Sequence, residues 1–387
     1  MNDKQTEQER PFIAFYRKHQ ISPVAQDITD LEKHFQRRSA LYRHLGLVPS
    51  LLRGKSVAEF GPGSGHNAVF TASLEPRRYV LIDANPTGLG RAEQLLASHT
   101  PKTTELQFVE SLMEEYETAE RFDAVFCEGA IPHQNDPPYM LRCIARFVAP
   151  GGVLVTTCED NVSVLSEMFR RLLGAMLIEP DASIDDNLVR LRPVFEPHLR
   201  NLVARSRPVD DWIVDSILHP FTGRLLSIED AIGAVGQEFD VHGCSPKFFT
   251  DWTWYKGIHS NRAYFNDMAV HQYLENVHNL LDYRYCFPPR PIEANRALIE
   301  QCDFAVGLSR SYEFDKKRDT LPKLAAATHK LSTLVRSFSP ETADSIDDFG
   351  TGLDTYLKTN VMPPLEKFGQ FWGRGQQYLS LIRARVL

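Results

Sequence analysis

No stretch of this chain approaches the ~18 consecutive apolar residues of a membrane-spanning helix. The opening Met1-Asn2-Asp3-Lys4-Gln5 is polar and unlike a signal peptide, so the expected setting is cytoplasmic, with no membrane partner. Cysteine is sparse. The six residues are scattered without a C-x-x-C pair, which fits reduced thiols and excludes a disulfide framework. No spacing of His, Cys and acids reads as a metal site. Cations are also in deficit: 43 Lys and Arg face 50 Asp and Glu, a net charge of −7. That balance argues against nucleic acid as the main partner, because phosphate contacts need clustered positive charge.

What the sequence does contain is a bend. Val57-Ala58-Glu59-Phe60 reads as a short apolar strand that breaks into Gly61-Pro62-Gly63-Ser64-Gly65. Glycine at every second position lets the backbone turn sharply and lie against a ligand with no Cβ in between. A second apolar run, Tyr79-Val80-Leu81-Ile82, ends in Asp83, where the end of a neighbouring parallel strand would face the same ligand and accept hydrogen bonds from ribose hydroxyls. A dinucleotide asks for a third glycine that seats its pyrophosphate on a helix N-terminus, and that position is His66. A nucleoside ligand without phosphate makes no such demand.

Around this bend, strands and helices alternate. Strands are expected over 56–61, 78–83, 105–109, 122–127 and 152–158, and helices over 65–75, 86–98, 112–119 and 137–148. Such alternation predicts a parallel sheet with ligands at the carboxyl ends of its strands.

Three features together resemble the Rossmann-like (class I) S-adenosylmethionine-dependent methyltransferases: G-x-G-x-G after Glu59, Asp83 at the next strand end, and the turn Ala149-Pro150-Gly151-Gly152 before Val153. The resemblance covers residues 37–158 and 237–256. It implies an α/β fold, a mostly parallel seven-stranded sheet with an antiparallel last strand, the sixth strand over 237–244 and the seventh over 247–256. It implies S-adenosylmethionine as cofactor, held by Gly61, Gly63, Gly65 and Asp83 with Glu59 supporting the loop. Glu110 or Ser111 would meet the adenine, and Tyr42 or Arg43 the methionine end. Glu128 and His133, after the fourth strand, would face the methyl group as general bases, since imidazole titrates near neutrality.

The same resemblance divides the chain. Residues 1–52 form an N-terminal helical segment, 53–257 the methyltransferase domain with a helical insertion over 178–235 on its substrate side, and 258–387 an all-helical extension. The stripe Leu365, Phe368, Phe371, Trp372, Leu379 and Ile382 reads as one amphipathic helix that needs burial against the domain or a second subunit. The implied activity is methyl transfer to an O or N atom of a small polar molecule, a sugar or biosynthetic metabolite. One alternative is a catalytically silent binding protein of the same fold. The other is a nitrogen methyltransferase on nucleic acid or protein using Asp136-Pro137-Pro138-Tyr139, a motif such enzymes place directly after the fourth strand; here it sits further on, where two prolines suit a helix start.

Overall fold

Seven apolar runs pair into one sheet in the computed structural model, which describes residues 11–384 except 23, 133, 204 and 260–262. The strands are β1 (Ser56–Phe60), β2 (Arg78–Asp83), β3 (Glu105–Glu110), β4 (Phe122–Cys127), β5 (Val148–Cys158), β6 (Phe239–Ser245) and β7 (Gln377–Arg383), in the order β3-β2-β1-β4-β5-β7-β6. The first five are parallel. Every residue of β1 is buried, as a central strand covered on both faces requires. From β1 the chain winds outward to β3, and from β4 outward the other way to β5. The order therefore reverses between β1 and β4, and the loops leaving their carboxyl ends diverge to open a crevice.

The helices that position this crevice are α1 (Pro11–His19), α2 (Leu31–His44), α3 (Ala68–Ser73), α4 (Pro86–His99) and α5 (Pro137–Ala145). Asp30 caps α2 by accepting from Lys33 N, and Asn85 caps α4 by accepting from Thr87 N. Asp136 caps α5, its Oδ1 accepting from Tyr139 N at 3.0 Å. The Asp-Pro-Pro-Tyr tetrapeptide is thus a helix start, and Tyr139 is 48% exposed. Residues 112–119 form one turn, at 113–115, and otherwise irregular chain rather than the expected short helix.

The seventh strand corrects the sequence reading. Residues 247–256 form no strand, and their aromatics are not core: Trp252 is 92% and Trp254 68% exposed. Instead β7 comes from the end of the chain and runs antiparallel between β5 and β6. The expected final helix stops at Gly369, and Leu379 and Ile382 belong to β7. Strands repeat every second residue, and Leu379 and Leu381 accordingly share the buried face.

The chain divides into two compact units, 1–159 with 220–273 and 376–387, and 160–219 with 274–375. The first holds the whole sheet. The second is helical and draws on both the expected insertion and the expected C-terminal extension, so the boundaries differ from those read off the sequence. Inside it Arg171 pairs with Glu313 and donates to the carbonyls of Ser216 (2.8 Å) and His219 (3.0 Å). Arg170 is fully buried over the Trp372 ring at 3.5 Å and donates to the carbonyls of Ser166 (3.1 Å) and Phe371 (2.9 Å).

Candidate active site

The glycine loop is fastened to the strand beside it. Gly61, Gly63 and Gly65 have φ of 70°, 55° and 78°, the left-handed region. At Gly65 space decides as well, since a Cβ there would lie 2.9 Å from the Cα of Ala92 in α4. Gly61 N donates to Ile82 O at 2.8 Å, and Gly63 N to Asp83 Oδ2 at 3.0 Å. The other oxygen of Asp83 accepts from Asn85 N at 2.8 Å. Burial pushes the Asp83 carboxyl up to about 6, against the pull of backbone N–H groups from Asn85, Gly63 and Ala84 and the charge of Arg17. Loop and acid are thus one unit.

Glu110 lies beside Asp83 in the β2–β3 register, and Ser111 N donates to Asp83 O at 3.2 Å. Both are therefore at the carboxyl ends of these strands, as expected from the sequence. Arg17 of α1 spans the same edge: it donates to Ala84 O from Nε (3.2 Å) and Nη2 (2.7 Å), and Nη2 lies 3.4 Å from Glu110 Oε1. Ser22 and Ser64 share a hydrogen bond of 2.9 Å, which ties the segment after α1 to the glycine loop.

Tyr42 is a correction. It is 3% exposed, shares a 2.8 Å hydrogen bond with Thr71 Oγ1 and stacks on Phe126 with ring centroids 5.7 Å apart. Its ring belongs to the core beneath the crevice. Glu128 is engaged as well. Its two oxygens accept from Arg38 Nη1 and Nη2 at 2.7 and 2.6 Å, a bidentate pair whose side chains are 6% and 7% exposed. Asn67 Nδ2 approaches the same carboxylate at 3.4 Å. His133 lies outside the described residues. The loop it follows is anchored by Gly129 N, which donates to Thr157 Oγ1 at 2.8 Å, and Ala130 abuts Gly61 so closely that a Cβ there would lie 2.6 Å from its own. Arg17, His34, Arg38 and Asn67 were not singled out from sequence. A signal existed: His34, Arg38 and Tyr42 recur every fourth residue, and they are the buried face of α2.

Glu59 is 4% exposed and accepts a hydrogen bond from the Tyr79 hydroxyl, so its carboxylate is spent on β2 rather than on loop N–H groups. Burial first, then the charge of Glu128, push it up to about 7 from 4.5, against Tyr79 and Arg38. A carboxyl raised in the folded state binds its proton more tightly there than in the unfolded chain, so stability falls as pH rises through that window. Glu59→Gln keeps an oxygen for Tyr79 and has no charge to desolvate. At about pH 8 the variant is expected to be more stable than the parent by on the order of 2 kcal/mol, and at about pH 4 to match it. Urea titrations at the two pH values measure the gap; a gap independent of pH would show that Glu59 ionises like a surface carboxyl.

A Rossmann-like sheet with a glycine loop and a strand-end acid at its switch point defines a nucleoside-binding α/β fold. Residues 58–156 match the family model described as a methyltransferase domain. The chain is 30% identical over 151 residues to a ubiquinone biosynthesis O-methyltransferase of Aeromonas salmonicida (strain A449), covering 37% of this chain and 53% of that protein. It is 31% identical over 107 residues to a tRNA U34 carboxymethyltransferase of Sulfurovum sp. (strain NBC37-1), covering 27% and 34%. The matched segments thus span about half or less of these relatives. The N-methyltransferase NodS from Bradyrhizobium japonicum WM9, solved with S-adenosyl-l-homocysteine, aligns at 20% identity over 38% of this chain and 74% of its own, with a TM-score of 0.31.

Proposed function

We propose that the protein transfers a methyl group from S-adenosylmethionine to an oxygen or nitrogen atom of a small polar molecule. One observation carries this reading: the glycine loop and Asp83 are locked together by the Gly63 N–H at the switch point, beside Glu110 and facing the loop of Glu128. That cradle suits a nucleoside, with bare backbone on one side and an anionic acceptor for ribose hydroxyls on the other. The charge balance of −7 favours a small acceptor over a polynucleotide. The O-methyltransferase relative points the same way, whereas the tRNA enzyme does not. The use of Asp136 to Tyr139 on an exocyclic nitrogen loses support, because the Asp136 carboxylate caps α5.

The bound sulfonium supplies an electrophilic methyl group, so the protein's share is alignment and the exclusion of water. Holding the nucleophile in line accounts for about 7–11 kcal/mol of such a barrier. Arg38 holds both oxygens of Glu128 in place, a positioning role rather than that of a free base. Titration calorimetry with S-adenosylmethionine and S-adenosylhomocysteine, followed by turnover of labelled S-adenosylmethionine against pooled hydroxyl and amine metabolites, tests the proposal. Absence of binding would end it, and binding without any turnover would favour the silent scaffold.

A further inference from the structure

Buried polar atoms without a partner are rare in folded proteins, so several in one place mark where something else binds. Three gather beside the glycine loop. His34 Nε2, Arg38 Nε and His66 Nδ1 are shielded from solvent and have no hydrogen-bond partner among the described residues. His34 is 8% and Arg38 5% exposed, one α2 turn apart on the same face. The backbone of His66, the residue after Gly65, lies beside the His34 imidazole and favours its protonated form. Nε2 has no partner among the described residues, and in the Nδ1–H tautomer it presents a bare lone pair.

The placement of this lone pair follows from what α2 touches. Arg38 ties the helix to Glu128 just past β4, and His34 lies beside His66 at the end of the loop after β1. The imidazole therefore stands beside the crevice between β1 and β4. Asp83 and Glu110 end β2 and β3, on the opposite side of β1. A nucleoside whose ribose rests on Asp83 extends its other end towards β4, and so towards His34.

Resting on the methyltransferase reading above, we propose that His34 Nε2 takes the proton of the attacking group and that the acceptor is a neutral hydroxyl. As the oxygen–carbon bond forms, the sulfur–carbon bond breaks and its electron pair stays on sulfur as a neutral thioether. The hydroxyl proton passes to Nε2 and from there to solvent. Glu128 does not compete, because both its oxygens are held by Arg38. Burial first, then Arg38, hold the imidazole below the ordinary histidine range; Arg37 adds to this, while the His66 backbone and Glu128 oppose it, and the neighbouring ring is His66. The base is thus neutral and ready at neutral pH.

The test needs no identified acceptor. Calorimetry on the full chain compares S-adenosylhomocysteine with sinefungin, the analogue that carries an amine where the methyl group departs. A lone pair at Nε2 accepts from that amine, so the parent protein is expected to bind sinefungin about tenfold more tightly. His34→Ala removes this preference while the S-adenosylhomocysteine Kd stays within about twofold, and His34→Gln, whose amide oxygen still accepts, keeps part of it. Should His34→Ala not fold, the parent protein answers alone, since acidification that protonates His34 against Arg38, Arg37 and His66 must abolish the preference. Equal affinities in the parent, a preference that survives His34→Ala, or one indifferent to acid would each overturn the assignment. Failure of both compounds to bind the parent would instead refute the cofactor reading.

Discussion

Arg38→Leu is expected to cost about 3–5 kcal/mol of folding stability, because it strands a buried carboxylate. Arg38 and Glu128 meet through two short charge-assisted bonds, with side chains 7% and 6% exposed. Among the described residues, taking away the guanidinium leaves Glu128 with Asn67 alone, at 3.4 Å, which cannot offset the desolvation of a full charge. Leucine also forfeits the packing of the guanidinium over Tyr42, 5.3 Å from the ring centroid. Adding Glu128→Gln to Arg38→Leu should recover a large part of the loss, because an amide needs no counter-ion. Denaturant titrations of both single variants and the double variant give the coupling energy directly. A single Arg38→Leu variant within about 1 kcal/mol of the parent would mean that water reaches Glu128 and that the pair is a surface contact.

The same pair shows what the sequence could and could not tell. The bend at 61–65 and the acid at 83 are local signals, and the structure places them side by side because parallel strands β1 and β2 bring their carboxyl ends together. Glu128 was legible for the same reason, as the residue just past a strand. Its partner was not, since nothing local to Glu128 announces an arginine on a helix that precedes β1. The clue lay in the four-residue period of His34, Arg38 and Tyr42, which reads more readily as one tyrosine among solvated charges than as a buried polar face. β7 failed for a different reason. A stripe of large apolar residues from Leu365 to Ile382 suits a helix as far as Phe371 and a strand beyond it, and only Gly373 and Gly375 mark the change of period. The aromatic run over 247–256 misled in the opposite sense: β-propensity alone does not place a strand, and β7 already occupies the place between β5 and β6.

Asp83→Ala is expected to weaken S-adenosylmethionine binding by about a hundredfold or more, since two hydrogen bonds to a charged acceptor contribute about 1.5–3 kcal/mol each. The substitution acts twice. It removes the ribose acceptor, and it frees Gly63 N, so the loop that the ligand must find already bent is no longer held. Asp83→Asn separates the two effects, because the amide oxygen can still accept from Gly63 while the charge is gone; its affinity should fall between those of the parent and the alanine variant. The pH dependence gives an independent readout. In the free protein the Asp83 carboxyl sits at about 6, raised by burial. Hydroxyl donors favour the carboxylate over the acid, so binding lowers this value, and linkage requires affinity to climb with pH until the free carboxyl is ionised. Affinity should therefore drop as pH falls below about 6 and level off above about 7, whereas Asp83→Asn should lack that step. An alanine variant that binds the cofactor as the parent does, with the same pH profile, would remove the acid from the ribose and leave the glycine loop without its fastening.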